Sequence, residues 1–250
     1  MFKDFIEKLN IPEACQINKK VHKKLFYEKG DIKYSDKKIF IDDIDQIQWL
    51  YTLNEDTIPI KGYQDGDLDY TEIALIKVDL KKNNRYERIT DIMQRTIPYP
   101  LIIFFLFENR LLINTAYKRI NQLDEDKATY DELVFSNWIN LDNSNSIEDK
   151  FINSLSIKNL SYTNFYKFYT EFVDRIIAFN IACIKGEFQI ENHQKLVKSK
   201  ESLERIIKLQ LETDKLRRLI KKEKQFNRRV ELNMKIRKLE SQIEEYKKAL

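Results

Sequence analysis

Carboxylates and a lysine occur at suggestive spacing between residues 65 and 82. Asp79 and Lys81 lie two positions apart near the end of an alternating run that opens at Glu72, and the upstream acids are Asp65, Asp67 and Asp69. A magnesium-dependent nuclease of the PD-(D/E)xK kind needs two carboxylates to hold the metal and a lysine near the attacking water. Alternation along a strand places Asp79 and Lys81 on one face. One hypothesis is therefore a Mg²⁺-dependent nuclease built on Asp79, Lys81, Glu72 and Asp69. In the alternative reading, Lys81 simply ends the strand.

Two basic clusters are typical of phosphate contact. The first contains Lys19, Lys20, Lys23 and Lys24, next to Phe26 and Tyr27. The second contains Arg217, Arg218, Lys221, Lys222, Lys224, Phe226, Arg228 and Arg229. Cations that neutralise phosphates release counterions, and a neighbouring aromatic ring can stack on an unpaired base. The alternatives are solvated helix surfaces or contact with an acidic groove of a protein partner.

Other common catalytic chemistry has no support in the sequence. His22 and His193 lack a second histidine at metal-binding spacing, and Cys15 and Cys183 lie far apart. The chain contains neither a phosphate-binding GxxxxGK[ST] run nor a dinucleotide-binding GxGxxG run. We therefore predict no metal or cofactor, except Mg²⁺ under the nuclease hypothesis.

Composition and charge predict a folded cytoplasmic protein with a basic end. The chain has 250 residues, 42% hydrophobic and 12% aromatic, which is enough for a core without disulfides or metals. Acids near Met1 argue against a signal peptide, and the apolar run at 101–107 is too short to span a bilayer. Residues 194–250 carry 18 Lys and Arg against 9 Asp and Glu, an excess typical of contact with an acidic partner such as nucleic acid.

Hydrophobic periodicity predicts an α+β body over residues 1–190. Helices are expected at 2–9, from 36 to about 45, at 86–97 and from 162 onward. Strands are expected at 44–53, 72–80, 101–107, 111–117 and 133–141. Residues 121–131 and 142–149 are expected to be surface loops. These elements predict a small mixed β-sheet with flanking helices.

Residues 194–250 predict a coiled-coil arm. Ile206, Leu209, Thr213, Leu216 and Ile220 follow one heptad register, and a second begins near Arg229 and continues through Ile236 and Ile243. The two registers differ by two residues, and the discontinuity falls within 221–229. A tight turn there gives an antiparallel helical hairpin, with Asn227 as a candidate cap. One long helix that absorbs the slip is the alternative, and the hairpin is favoured.

Several runs together resemble the bacterial and archaeal family called domain of unknown function 4391. They are DKKIF (36–40), IQWLYTL (47–53), YTEI (70–73), IPYP (97–100), AYKR (116–119), NFYKFY (164–169), VDRIIA (173–178) and QFNRRVELN (225–233). The resemblance spans almost the whole chain. It implies genes encoded beside helicases and DNA methyltransferases of restriction–modification type, and it implies no activity or catalytic residues.

The resemblance implies an accessory role in a DNA modification or antiphage system, so the leading hypothesis is a non-enzymatic accessory subunit of a DNA modification–restriction or antiphage-defence complex. A helicase or DNA methyltransferase is the expected protein partner, and the basic arm is expected to assist assembly or to contact DNA. The nuclease based on Asp79 and Lys81 is one alternative. A stand-alone, non-specific DNA-binding protein is the other.

Overall fold

The computed structural model describes residues 1–28, 32–120 and 128–250. The chain divides into two compact units: Met1–Phe179, here called the body, and Asn180–Leu250. The predicted fold class is confirmed, because the body combines a mixed sheet with helices and the C-terminal region contains two helices packed together. The predicted domain limits, 1–190 and 194–250, stay a prediction.

A mixed sheet is the centre of the body. The strands are β1 (Gln16–Lys20), β2 (Ile44–Asn54), β3 (Tyr63–Asp65), β4 (Leu68–Tyr70), β5 (Glu72–Leu80), β6 (Leu101–Phe107), β7 (Arg110–Ile120), β8 (Ala128–Phe135) and β9 (Ile139–Asn140). Within the described residues, the sheet runs in the order β1-β2-β5-β6-β7-β8, with β9 paired to β7, while β3 and β4 pair separately. β5 and β6 are parallel, and the other pairs are antiparallel. The predicted strands at 44–53, 72–80, 101–107 and 111–117 are confirmed.

Helices cover both faces of this sheet. They are α1 (Phe2–Lys8), α2 (Lys24–Glu28), α3 (Tyr34–Asp43), α4 (Tyr86–Thr96), α5 (Ser146–Ser154) and α6 (Phe165–Lys185), of which α6 continues past the end of the body. α4 makes the crossover that two parallel strands require. Across the described ranges of the chain, no helix is both long enough and apolar enough to cross a membrane.

Neighbouring phenylalanines on β6 show how the two layers are built. Phe105 joins a core with residues of α2, α3 and α4, including Phe40 and Ile92. Phe104 points to the opposite face, where its ring centroid lies 5.4 Å from that of Phe5 on α1. Successive residues of a strand alternate between faces, so a continuous apolar run such as β6 needs a cover on each side.

Three predictions about the connecting segments need correction. Residues 121–127 lie outside the described residues, but 128–131, predicted as loop, begin β8. The predicted strand at 133–141 is interrupted, because β8 ends at Phe135. α5 starts inside the predicted 142–149 loop, where Asn145 caps it by accepting from the backbone N–H groups of Ile147 and Glu148.

The C-terminal region forms the favoured helical hairpin. α7 (His193–Lys222) and α8 (Phe226–Ala249) are joined at 223–225, inside the predicted discontinuity. They run antiparallel: Arg217 on α7 donates to Glu240 Oε1 on α8 at 2.8 Å, and Ser199 donates to the Leu250 carbonyl at 3.4 Å. The cap prediction was wrong, because Gln225 and not Asn227 holds the N-cap position of α8. We call α7 and α8 the arm.

Candidate nucleic-acid interface

The carboxylates of the nuclease hypothesis lie at opposite ends of β5, with Glu72 and the preceding Asp69 at one end and Asp79 at the other. Glu72 begins β5 and Asp79 follows seven residues later, so about 23 Å separates them at about 3.3 Å per residue. Asp69, on β4, precedes Glu72 by three residues and lies at the same end of β5. Burial raises the pKa of Glu72, and the negative charge of Asp69 adds to that rise. Groups so far apart along the strand cannot share one metal ion.

Asp79 and Lys81 also have other interactions. The Asp79 carboxylate accepts from Lys77 Nζ at 2.9 Å. Lys81 follows the last residue of β5, and its backbone N–H donates to the Asp43 carbonyl at 2.7 Å. The strand face predicted to carry both side chains therefore ends before Lys81. Among the residues that the structure describes, no group of three or more His, Cys, Asp and Glu side chains is placed to hold a metal ion.

The N-terminal basic cluster lies at an edge of the sheet. Lys19 and Lys20 are exposed on β1, the outermost strand of the sheet order, and Lys24 is exposed at the start of α2. Lys23 Nζ donates to the Ile44 carbonyl at 2.5 Å. Desolvation lowers the pKa of Lys23, and the positive charges of Lys81 and Lys20 lower it further, partly offset by Asp45. The structure thus brings Lys81 to the lysines of this cluster rather than to Asp69 and Glu72.

The aromatic residues next to this cluster belong to the body core. Phe26 is fully buried, and its ring stacks on Phe40 with centroids 5.5 Å apart. Tyr27 is partly buried, and Lys37 Nζ lies 5.0 Å from the centre of its ring. The suggestion that Phe26 stacks on a base is therefore wrong, because the ring has no access to solvent.

The second cluster lies around the hairpin turn, called the tip here (residues 214–229). Two of its predicted cations are engaged: Arg217 with Glu240, and Arg228 with Glu223 at 3.9 Å. In the described parts of the chain, the remaining cations of the cluster form no ion pair. They are Arg218, Lys221, Lys222, Lys224 and Arg229, all exposed. This unneutralised charge suits an anionic partner.

Four cations form a line along the exposed surface of α7, on the side of the helix opposite Ile206 and Thr213. The positions are Lys208, Leu211, Lys215, Arg218 and Lys222, which repeat the 3-4 spacing of a single helix face. Every one of them is exposed, and the buried residues Ile206 and Thr213 occupy the opposite side of the helix. We call these five positions the α7 outer row. No cation in it is ion-paired to any described residue.

The length of this row matches a stretch of nucleic-acid backbone. Lys208 and Lys222 are fourteen residues apart in one helix, or about 21 Å at about 1.5 Å per residue. One DNA strand advances about 3.4 Å along the duplex axis per phosphate, so a row of this length laid parallel to that axis covers the rise of about six phosphates. The open groove of about 860 Å³ between α7 and α8, which Arg218 of the outer row also lines, carries residues of both signs, including Asp214 and Glu240. The outer row is therefore the more uniform cationic surface.

Two of the four cations of the α7 outer row were not predicted from the sequence. Lys208 and Lys215 precede Lys222 by fourteen and seven residues, so all three share one heptad position. That seven-residue spacing was a visible signal, but the prediction grouped cations by closeness in sequence to the turn. Phe226, which was predicted, is the first residue of α8 and is 77% exposed.

The geometry defines a class of protein: a mixed-sheet α+β body joined to a helical arm with an exposed cationic row. The chain belongs to the family described as domain of unknown function 4391, whose model matches residues 9–243. The suspected resemblance is thereby confirmed. No curated protein and no solved structure shows significant similarity to the chain.

Proposed function

We propose that this protein is a non-enzymatic accessory subunit of a DNA modification–restriction or antiphage-defence complex, and that its arm lies along the phosphate backbone of DNA. The observation that carries the contact with DNA is the α7 outer row, four cations on one face over about 21 Å that form no ion pair with any residue the structure describes. Membership of such a complex, with a helicase or DNA methyltransferase as partner, rests on what the family resemblance implies about neighbouring genes.

Contact through the outer row follows from charge and position together. A cation already paired with a carboxylate has less to gain from a phosphate, because the existing ion pair must be broken first. The cations of the row have no ion pair with a described residue to break, although the acids Glu204 and Glu212 lie four residues on either side of Lys208. The expected binding is non-specific, since phosphate contacts carry no sequence information directly.

Binding to a labelled DNA duplex, measured by fluorescence anisotropy on the full chain, tests this contact. The triple variant Lys215→Glu, Arg218→Glu, Lys222→Glu is expected to weaken binding by at least about tenfold, because three phosphate contacts become repulsive. The matched control is Lys235→Glu, Lys238→Glu, Lys248→Glu, which makes the same change in net charge at exposed positions of α8. Equal losses in the two variants would show that only net charge matters and would overturn the assignment to α7.

Affinity purification of the tagged protein, with nuclease treatment, tests the role as a subunit. A helicase or methyltransferase that remains bound after the DNA is digested supports the proposal. A protein recovered alone contradicts it and favours a stand-alone DNA-binding protein, provided that the duplex still binds through the outer row.

A further inference from the structure

α8 carries apolar side chains on two faces. Ile236 and Ile243 are buried against α7, as the hairpin requires. Phe226, Val230 and Met234 are spaced four residues apart and are 77%, 41% and 67% exposed. At about 100° per residue, Val230 and Met234 lie about 120° to 180° around the helix from Ile236 and Ile243. The hairpin thus buries one apolar face of α8 and leaves a second uncovered.

This second face has the form of a helix-packing surface. Residues at i, i+4 and i+8 make the ridge that packs into the groove of another helix. The three side chains extend over eight residues, about 12 Å or about two helical turns. Because a contiguous exposed apolar ridge on a helix is unfavourable in water, an element that packed on it would remove apolar area from solvent. We call Phe226, Val230 and Met234 the α8 outer ridge.

The charges beside the ridge identify the kind of occupant. On the helix surface, Arg229 is next to Phe226, and Arg237 and Lys238 are next to Met234, while Glu231 is the acid nearest to them. The surroundings of the ridge are therefore positive. A second copy of the arm would bring an equal excess of positive charge against this surface and be repelled. An amphipathic helix with acidic residues beside its apolar face has the complementary charge.

We propose that the α8 outer ridge is the docking site for an amphipathic helix of a partner protein, and that Asp and Glu residues flank the apolar face of that helix. The occupant packs as a third helix on the arm, with its acids beside Arg229, Arg237 and Lys238. This inference rests on the proposed role as a subunit. It does not depend on the contact with DNA, which uses the other helix of the arm.

Photo-crosslinking in cells identifies the occupant. The photoreactive residue p-benzoylphenylalanine replaces Phe226, Val230 or Met234 in the full chain, and replaces the exposed Lys235 as the control position. The proposal expects one partner protein crosslinked at the ridge positions and not at Lys235, through a segment with heptad apolar spacing and flanking Asp or Glu. Crosslinks to a second copy of this chain, crosslinks to lipid, equal yields at Lys235 or the absence of crosslinks would each overturn it.

A synthetic peptide of the crosslinked segment then tests the chemistry. The peptide is titrated against the full chain. Val230→Ser or Met234→Ser is expected to raise the Kd of the peptide about tenfold, as substitutions of central interface residues do, whereas Lys235→Ser is expected to leave it unchanged. Replacing the acids of the peptide with lysine is expected to abolish binding. Binding that is indifferent to those acids, or loss of affinity for phosphatidylserine vesicles in Phe226→Ser, contradicts the proposed occupant.

Failure of this inference is distinguishable from failure of the DNA contact. Val230→Ser and Met234→Ser are expected to leave duplex affinity unchanged, whereas the triple variant of the α7 outer row is expected to retain the peptide. A single variant that abolished both interactions would contradict the assignment of the two activities to separate helices.

Discussion

Replacement of Tyr169 by phenylalanine is expected to destabilise the body strongly for the loss of one oxygen atom. Tyr169 is fully buried on α6, and its hydroxyl lies between the start of β6 and the middle of β7. It accepts from the Ala116 N–H at 2.9 Å and lies 2.8 Å from the Leu101 carbonyl, to which it donates. The paired register of β6 and β7 runs from Phe107 and Arg110 to Ile103 and Asn114. The hydroxyl therefore bridges the two strands where that register stops.

The magnitude follows from what the phenylalanine variant leaves behind. A buried backbone donor without a partner costs about 1–3 kcal/mol, and each ordinary hydrogen bond lost costs about 1 kcal/mol. Ala116 is fully buried, so water cannot replace the hydroxyl without opening the sheet. We expect Tyr169→Phe to lower the free energy of unfolding of the body by about 2–3 kcal/mol. Burial raises the pKa of Tyr169 well above its ordinary value, so the hydroxyl stays a neutral donor at working pH.

Urea unfolding monitored by tryptophan fluorescence measures this effect, because Trp49 and Trp138 both belong to the body. Tyr166→Phe is the matched control. Its ring stacks on Tyr63 with centroids 5.0 Å apart, but its hydroxyl makes no hydrogen bond with the described residues. The control is expected to change stability by less than about 0.5 kcal/mol. Equal effects of the two substitutions would refute the bridging role of the Tyr169 hydroxyl.

Three further predictions concern other buried or catalytically suspected groups. Lys118 is fully buried and donates to the Ile97 carbonyl, and desolvation lowers its pKa well below the ordinary value. Between that lowered pKa and the ordinary value, the unfolded chain therefore binds more protons than the folded chain. Wild type should accordingly gain stability relative to Lys118→Met as the pH rises toward about 10, as measured by urea unfolding, and a constant difference would contradict this. Thr213 is buried in the arm, and its hydroxyl donates to the Leu209 carbonyl. Thr213→Val should therefore stabilise the arm by about 1 kcal/mol and slow the exchange of its amide hydrogens about fivefold. Unchanged exchange would count against tight packing at this position. Because the acids of the nuclease hypothesis lie apart, plasmid incubated with Mg²⁺ should give the same result with wild type and Asp79→Asn, and cleavage lost only in the variant would restore that hypothesis.

The central elements of the fold followed from local sequence pattern. β5, α4 and β6 were predictable because alternation, helical spacing and a continuous apolar run succeed one another between residues 72 and 107. The hairpin was predictable because a two-residue slip between heptad registers leaves two arrangements, a turn between two helices or one long helix that absorbs the slip. β1 was missed, because all five of its side chains are exposed and only its pairing with β2 makes it a strand. α5 was missed although Asn145 and Glu148 have the spacing of a capping box.

For the candidate interface, the sequence showed where positive charge is concentrated but not which cations are neutralised by ion pairs. The cluster around 217–229 was predictable from composition alone. Which cations stay unpaired depends on Glu240, which comes close to Arg217 only because α8 folds back along α7. The same folding decides which side of each helix is exposed, so it separates the α7 outer row from the α8 outer ridge. Such information is not contained in the spacing of either helix alone.

The salt dependence of duplex binding tests the central claim most directly. Four phosphate contacts by the α7 outer row predict that log Kobs falls with log salt at a slope of about −3.6, so affinity drops by about 150-fold between about 50 mM and about 200 mM salt. In the triple variant Lys215→Glu, Arg218→Glu, Lys222→Glu the slope should shrink to about −0.9, while the α8 control variant keeps the wild-type slope. A slope that is the same in wild type and the α7 variant would contradict the account, because the counterions would then be released by contacts elsewhere on the chain.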